Sequence, residues 1–110
     1  MAMPHAASGD IINIRPLAEQ LKQTPSSTLV RAPHLEVFRL VLPAGKVTQE
    51  HRAAGTITIQ CLEGRLELDV HQRTRIMQTG DLVYLADAEP HAVRAIEDTA
   101  LLITVLLHRE

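Results

Sequence analysis

From Thr56 to Val70 apolar and polar side chains alternate almost strictly, and this rhythm constrains the fold more than any other feature of the chain. Thr56-Ile57-Thr58-Ile59-Gln60-Cys61 puts Ile57, Ile59 and Cys61 on one side of an extended backbone and the polar residues on the other. Successive side chains of a strand point to opposite faces, so the run predicts a strand with one dry and one wet face. Glu63-Gly64 breaks the run. Arg65–Val70 then resumes it, with Leu66, Leu68 and Val70 opposed to Glu67 and Asp69.

The same punctuation recurs on both sides of this stretch. Ile11–Ile14 reads as a short strand, and Pro16–Gln23 as a short helix, because Pro16 suits a first helical position and Leu17 and Leu21 share a face. Thr28–Arg31 and Leu35–Leu42 read as strands, the second (LEVFRLVL) apolar enough to be covered on both faces. A strand carrying His51 is expected after Gly45. Downstream, His71–Thr74 reads as a turn, Arg75–Met77 and Leu82–Leu85 as strands, and His91–Ile96 as a strand entered from a loop containing Pro90. Ala100–Leu107 is apolar at nearly every position and calls for cover on both faces. Eight to ten short strands separated by turn residues predict an all-β antiparallel sandwich or barrel. Residues 1–10 read as a flexible N-terminal tail and residues 11–110 as one domain.

Composition narrows the partners. A chain of 110 residues holds one small domain, and many domains of this size add buried surface by oligomerising. The formal net charge of −2, an aromatic content of 2% and the mixing of both charge signs argue against nucleic acid. Cys61 is the single cysteine, which excludes an intramolecular disulfide and suits a reducing cytoplasm. The N-terminal residues have neither the basic nor the apolar region of a signal peptide, and no apolar run reaches the length of a membrane span.

The chemistry rests on two motifs. Gly45 is followed by His51, Ala53, Ile57 and Gly64, and Gly80 by Ala86, Ala88, His91 and Ala95, within the runs CLEGRLEL and GDLVYLADAEPHAVRA. In this spacing the chain resembles a small single-domain cupin, whose motifs read G-x5-H-x-H-x3-E-x6-G and G-x5-P-x-G-x2-H-x3-N. The resemblance covers roughly residues 35–107. It implies a jelly-roll β-barrel, with a short N-terminal helix in this chain, and an interior metal held by three histidines and one glutamate. Here His51 and His91 keep ligand positions, while Ala53 and Ile57 stand where the other histidine and the glutamate would be.

Gln49 shares strand parity with His51 and offers an amide oxygen as a third, poor ligand. Two imidazoles without an anion hold a divalent ion weakly, so no cofactor is expected beyond a weakly bound divalent metal. The reading is a barrel that binds a small molecule near His51, His91 and Gln49, with an incomplete metal site at His51 and His91. Its alternatives are a cupin enzyme and an oligomeric domain with a vestigial interior. The enzyme would be weakly metallated, or a metal-free isomerase using His51 or His91 as general base. The apolar final strand and small cupins' habit of pairing predict a homodimer. Cys61 reads as a buried small hydrophobe. His5, His34, His71 and His108 read as solvated, and Phe38 and Tyr84 as packing residues.

Overall fold

A computed structural model describes residues 5–48, 55–87 and 89–107. Among them eight strands form two antiparallel sheets: β1 (Ser27–Ala32), β2 (Leu35–Leu42), β3 (Gly55–Glu63), β4 (Arg65–Val70), β5 (Arg73–Gln78), β6 (Leu82–Leu85), β7 (His91–Ala95) and β8 (Thr99–Leu107). One sheet has the order β1-β2-β8-β3-β6 and the other β5-β4-β7, the two-layer arrangement of a jelly roll. The alternation anticipated in β3 is realised as strictly alternating burial from Gly55 to Cys61. Ile57, Ile59 and Cys61 face inward with Leu101, Ile103 and Val105 of β8, and meet Leu66, Leu68, Met77, Val93 and Ala95 from the smaller sheet. This apolar filling between the layers is the core.

Gly64 shows why the β3–β4 turn demands glycine. Its φ is +100°, and a Cβ there would lie 2.4 Å from the Asp98 carbonyl oxygen and 2.6 Å from Thr99 Oγ1. Just before it the β3–β8 register shifts between Cys61 and Glu63, a β-bulge at Leu62. Cys61 faces inward, and strict alternation would send Glu63 inward too. After the bulge the Glu63 carboxylate instead accepts hydrogen bonds from the backbone N–H groups of Leu17 (2.8 Å) and Ala18 (2.7 Å).

Several expectations are corrected. Ile11–Ile14 is not a strand; it has no ladder partner, and Ile11 is fully solvent-exposed. The helix expected over Pro16–Gln23 is a six-residue 3-10 helix, Ala18–Gln23, whose first residue, Ala18, has a φ of +50°. It buries Leu21 alone and ends ahead of Pro25, which disfavours helical geometry at Thr24. The turn expected over His71–Thr74 is tighter. His71 and Gln72 both adopt positive φ (54° and 61°), so Val70 pairs directly with Arg73 and β5 starts two residues earlier than read. β2 is half-buried along its length rather than covered on both faces, with only Leu42 fully buried. β8 is the central strand, yet Leu106 on its outer face is exposed. Tyr84, expected to pack, is 65% exposed on the outer face of β6, whereas Phe38 does pack against the core.

Candidate functional site

His91 opens β7, opposite Val70 of β4, and shares the inward-facing parity of Val93 and Ala95. It is 2% exposed, one of two buried polar residues among those described, the other being Thr99. Thr99 Oγ1 is occupied with the carbonyls of Arg65 and Glu97, which is structural work at the Gly64 corner. The His91 ring is set differently. Its Nδ1 lies 3.0 Å from the carbonyl oxygen of Glu89, and a carbonyl can only accept. Nδ1 therefore carries a proton.

Glu89 works in two directions. While its carbonyl orients His91, its carboxylate lies 2.6 Å from Nε2 of His71 across the β4–β5 turn. His71 was expected to be simply solvated; it is exposed but partnered. Only the pairing of β4 with β7, invisible in any local pattern, brings position 71 beside position 89. A surface cavity of about 570 Å³ lies at this turn, lined by residues including Asp69, His71, Arg73 and Glu89.

Ile57, which stands where the resemblance implies a glutamate, is 3% exposed, pairs with Val105 and Leu85, and is part of the apolar core. Cys61 is 1% exposed, and its thiol lies 3.6 Å from the carbonyl oxygens of Glu63 and Gly64. Burial pushes the thiol above its ordinary range, and the carboxylates of Asp81, Glu63 and Glu97 push the same way, opposed in part by the Glu63 backbone. A thiol so held is a core residue and a poor nucleophile. His51, Gln49 and Ala53 lie outside the described residues. Among the described residues no cluster of three or more His, Cys, Asp or Glu side chains is placed to hold a metal ion. Nor is any helix among them long and apolar enough to cross a membrane.

Sequence and structure comparisons agree on the architecture. The cupin-domain family profile matches residues 38–107. No curated protein sequence matches significantly. Among solved structures, a conserved protein of unknown function from Streptococcus pyogenes superposes with a TM-score of 0.78 at 23% identity, covering 100% of both chains. A cupin superfamily protein from Desulfitobacterium hafniense DCB-2 gives 0.78 at 16% identity, over 94% of this chain and 100% of its own. The DMSP lyase DddQ of Ruegeria pomeroyi DSS-3 gives 0.70 at 20% identity, over 77% of this chain but 47% of its own. At such identities the likeness is one of fold.

Proposed function

The chain belongs to the cupin-domain family, and from that premise we propose that it binds a small molecule in the barrel interior beside His91. The observation that carries this reading is the His91 ring, buried with the apolar side chains of the inner face among the described residues and oriented by the Glu89 carbonyl. A buried imidazole set among hydrocarbon offers a ligand a polar contact from which water is excluded. His51 and Gln49 are proposed as further polar contacts.

The residues do not fit the four-ligand metal site of the family, because Ala53 and Ile57 bring no donor atom. The proposed metal site is therefore incomplete, reduced to His51 and His91, and a divalent ion is held weakly. A second reading, a cupin enzyme using His91 as general base, is favoured by the burial and orientation of the ring. We also propose pairing as a homodimer across the outer face of the five-stranded sheet, where Leu82, Tyr84 and Leu106 are exposed. Only monomer in sedimentation at micromolar concentration would overturn the dimer.

The test of function uses the full chain purified without an affinity tag and dialysed. Binding without a resident metal predicts no stoichiometric Zn, Mn or Fe by elemental analysis. It also predicts a shift of the His91 ring resonances on addition of a low-molecular-mass cell extract, abolished in His91→Phe. Stoichiometric metal surviving dialysis would replace the binding reading with the metalloenzyme. The variant Ala53→His/Ile57→Glu should be less stable than wild type without metal and recover when Zn²⁺ or Mn²⁺ is added, by mass action.

A further inference from the structure

The segment that leads from residue 5 to the 3-10 helix is fastened to the barrel at its two ends. At one end Ala6 N–H donates to the Leu29 carbonyl of β1 (2.9 Å); at the other, Leu17 and Ala18 donate to Glu63. Between these tethers the one hydrogen bond to the barrel among the described residues is a long contact, 3.5 Å, from an Arg39 guanidinium nitrogen to the Asn13 carbonyl. Under the arch lies a cavity of about 580 Å³, bounded by the arm on one side and by Thr28, Leu29 and Arg39 on the other.

Arg39 is anomalous in this chain. Arg31, Arg65 and Arg94 each meet a carboxylate, from Glu36, Glu97 and Glu67 respectively. Arg15, Arg73 and Arg75 have no carboxylate partner but are exposed to water. Arg39 alone among the described arginines is half-buried with no carboxylate partner, and its Nε is sealed from solvent without a hydrogen-bond acceptor. A desolvated guanidinium normally recruits a carboxylate, ideally through two parallel N–H bonds. Arg15 adds a second positive charge to the lining. The carboxylate that also lines the cavity, Asp10, has its Oδ2 engaged 2.7 Å from the Ala7 N–H and forms no ion pair with Arg39. The rest of the lining includes hydrocarbon from Ile12, Pro16, Leu17 and Leu29.

We infer that this cavity is a second binding site, outside the barrel, for a small organic monocarboxylate whose carboxylate pairs with Arg39 and whose hydrocarbon part lies against Ile12, Leu17 and Leu29. A half-buried guanidinium with exposed Arg15 on the same lining, facing hydrocarbon from Ile12, Leu17 and Leu29, suits a carboxylate headgroup that carries an alkyl or aryl tail. The site stands apart from the one proposed beside His91, and neither depends on the other.

Amide NMR of the full chain tests the site with hexanoate, acetate and the uncharged isostere 1-hexanol as probes. Hexanoate should give saturable shifts at Thr28, Leu29 and Arg39, more tightly than acetate, while 1-hexanol gives none. Arg39→Gln should weaken hexanoate by about tenfold or more, the loss expected of a charge-assisted pair. Should that variant fail to fold, Ile12→Trp, which fills the cavity from the arm, should abolish the same shifts. No saturation by hexanoate, an equal response to 1-hexanol, or undiminished binding in Arg39→Gln or Ile12→Trp would overturn the site. Shifts confined to inner-face residues such as Ile59 and Val93 would also overturn it, placing the carboxylate in the barrel instead.

Discussion

The inner face of the barrel and the arm that crosses its outside are held by opposite means. Ile59, Leu66 and Leu101 are completely buried, each packed in a shared apolar cluster that draws on both sheets. The arm from residue 5 to the 3-10 helix has no ladder, buries little, and is tied by point contacts at Leu29 and Glu63. In the barrel any one side chain is supported by many neighbours, so loss of one leaves a hole that the others cannot fill. In the arm the loss of one carboxylate releases a whole segment while the barrel hardly notices. Stability is collective in the first region and local in the second.

The comparison breaks most visibly if the barrel is not collective. Ile59→Ala should lower the unfolding free energy by about 2–5 kcal/mol, the cost of deleting a buried branched side chain and leaving a cavity. Urea denaturation would show this as a lower midpoint with an unchanged slope, and a loss below about 1 kcal/mol would contradict the packing described.

A smaller effect, of different character, is expected at the tether. Glu63→Gln removes the charge and one of two acceptor oxygens, costing about 1 kcal/mol at a half-exposed position. The loss should appear as faster amide exchange at Leu17 and Ala18 with little change at Ile59 or Leu101. Exchange accelerating equally in arm and barrel would mean that the two regions unfold as one unit.

The smallest effect sharpens the picture of the interior. The Cys61 thiol is held above its ordinary range by burial, so the unfolded chain loses that proton first as pH rises. Its contribution is fully present below about pH 8.5, the ordinary thiol value, and is lost as pH climbs towards the folded-state value. The stability advantage of wild type over Cys61→Ala should therefore shrink as pH rises from about 7 to about 9 and beyond. An advantage independent of pH would show that the thiol is not desolvated.

How far the sequence foretold this molecule follows the same division. β3 and β4 were legible because a period of two is local and the buried face is apolar at every second residue. The arm was misread as strand because Ile11–Ile14 has β-forming residues but no neighbour to pair with, and pairing is not written in a tetrapeptide. The tether from Glu63 to Leu17 spans 46 positions, too far for any window to see. Arg39 was visible as a charge interrupting an apolar strand, and nothing local said that the arm would cover it. At the site, motif spacing singled out His91, and its burial agrees with an inward position. Its orientation by Glu89, and the bond from Glu89 to His71, follow from the β4–β7 register, which only the folded chain fixes.

The bulge at Leu62 has a consequence for how this chain tolerates changes in length. A strand's facing is a parity, and one inserted residue inverts it. Because Leu62 already absorbs one such inversion, inserting a further paired residue between it and Glu63 would return Glu63 to the parity of Cys61, turn a carboxylate towards hydrocarbon and unmoor the arm. Lengthening the His71-Gln72 turn would disturb no such parity, since both flanking strands already end there. Related chains can thus be expected to vary in length at the β4–β5 turn and to keep count at the corner before Gly64, where a single residue decides whether the arm is attached.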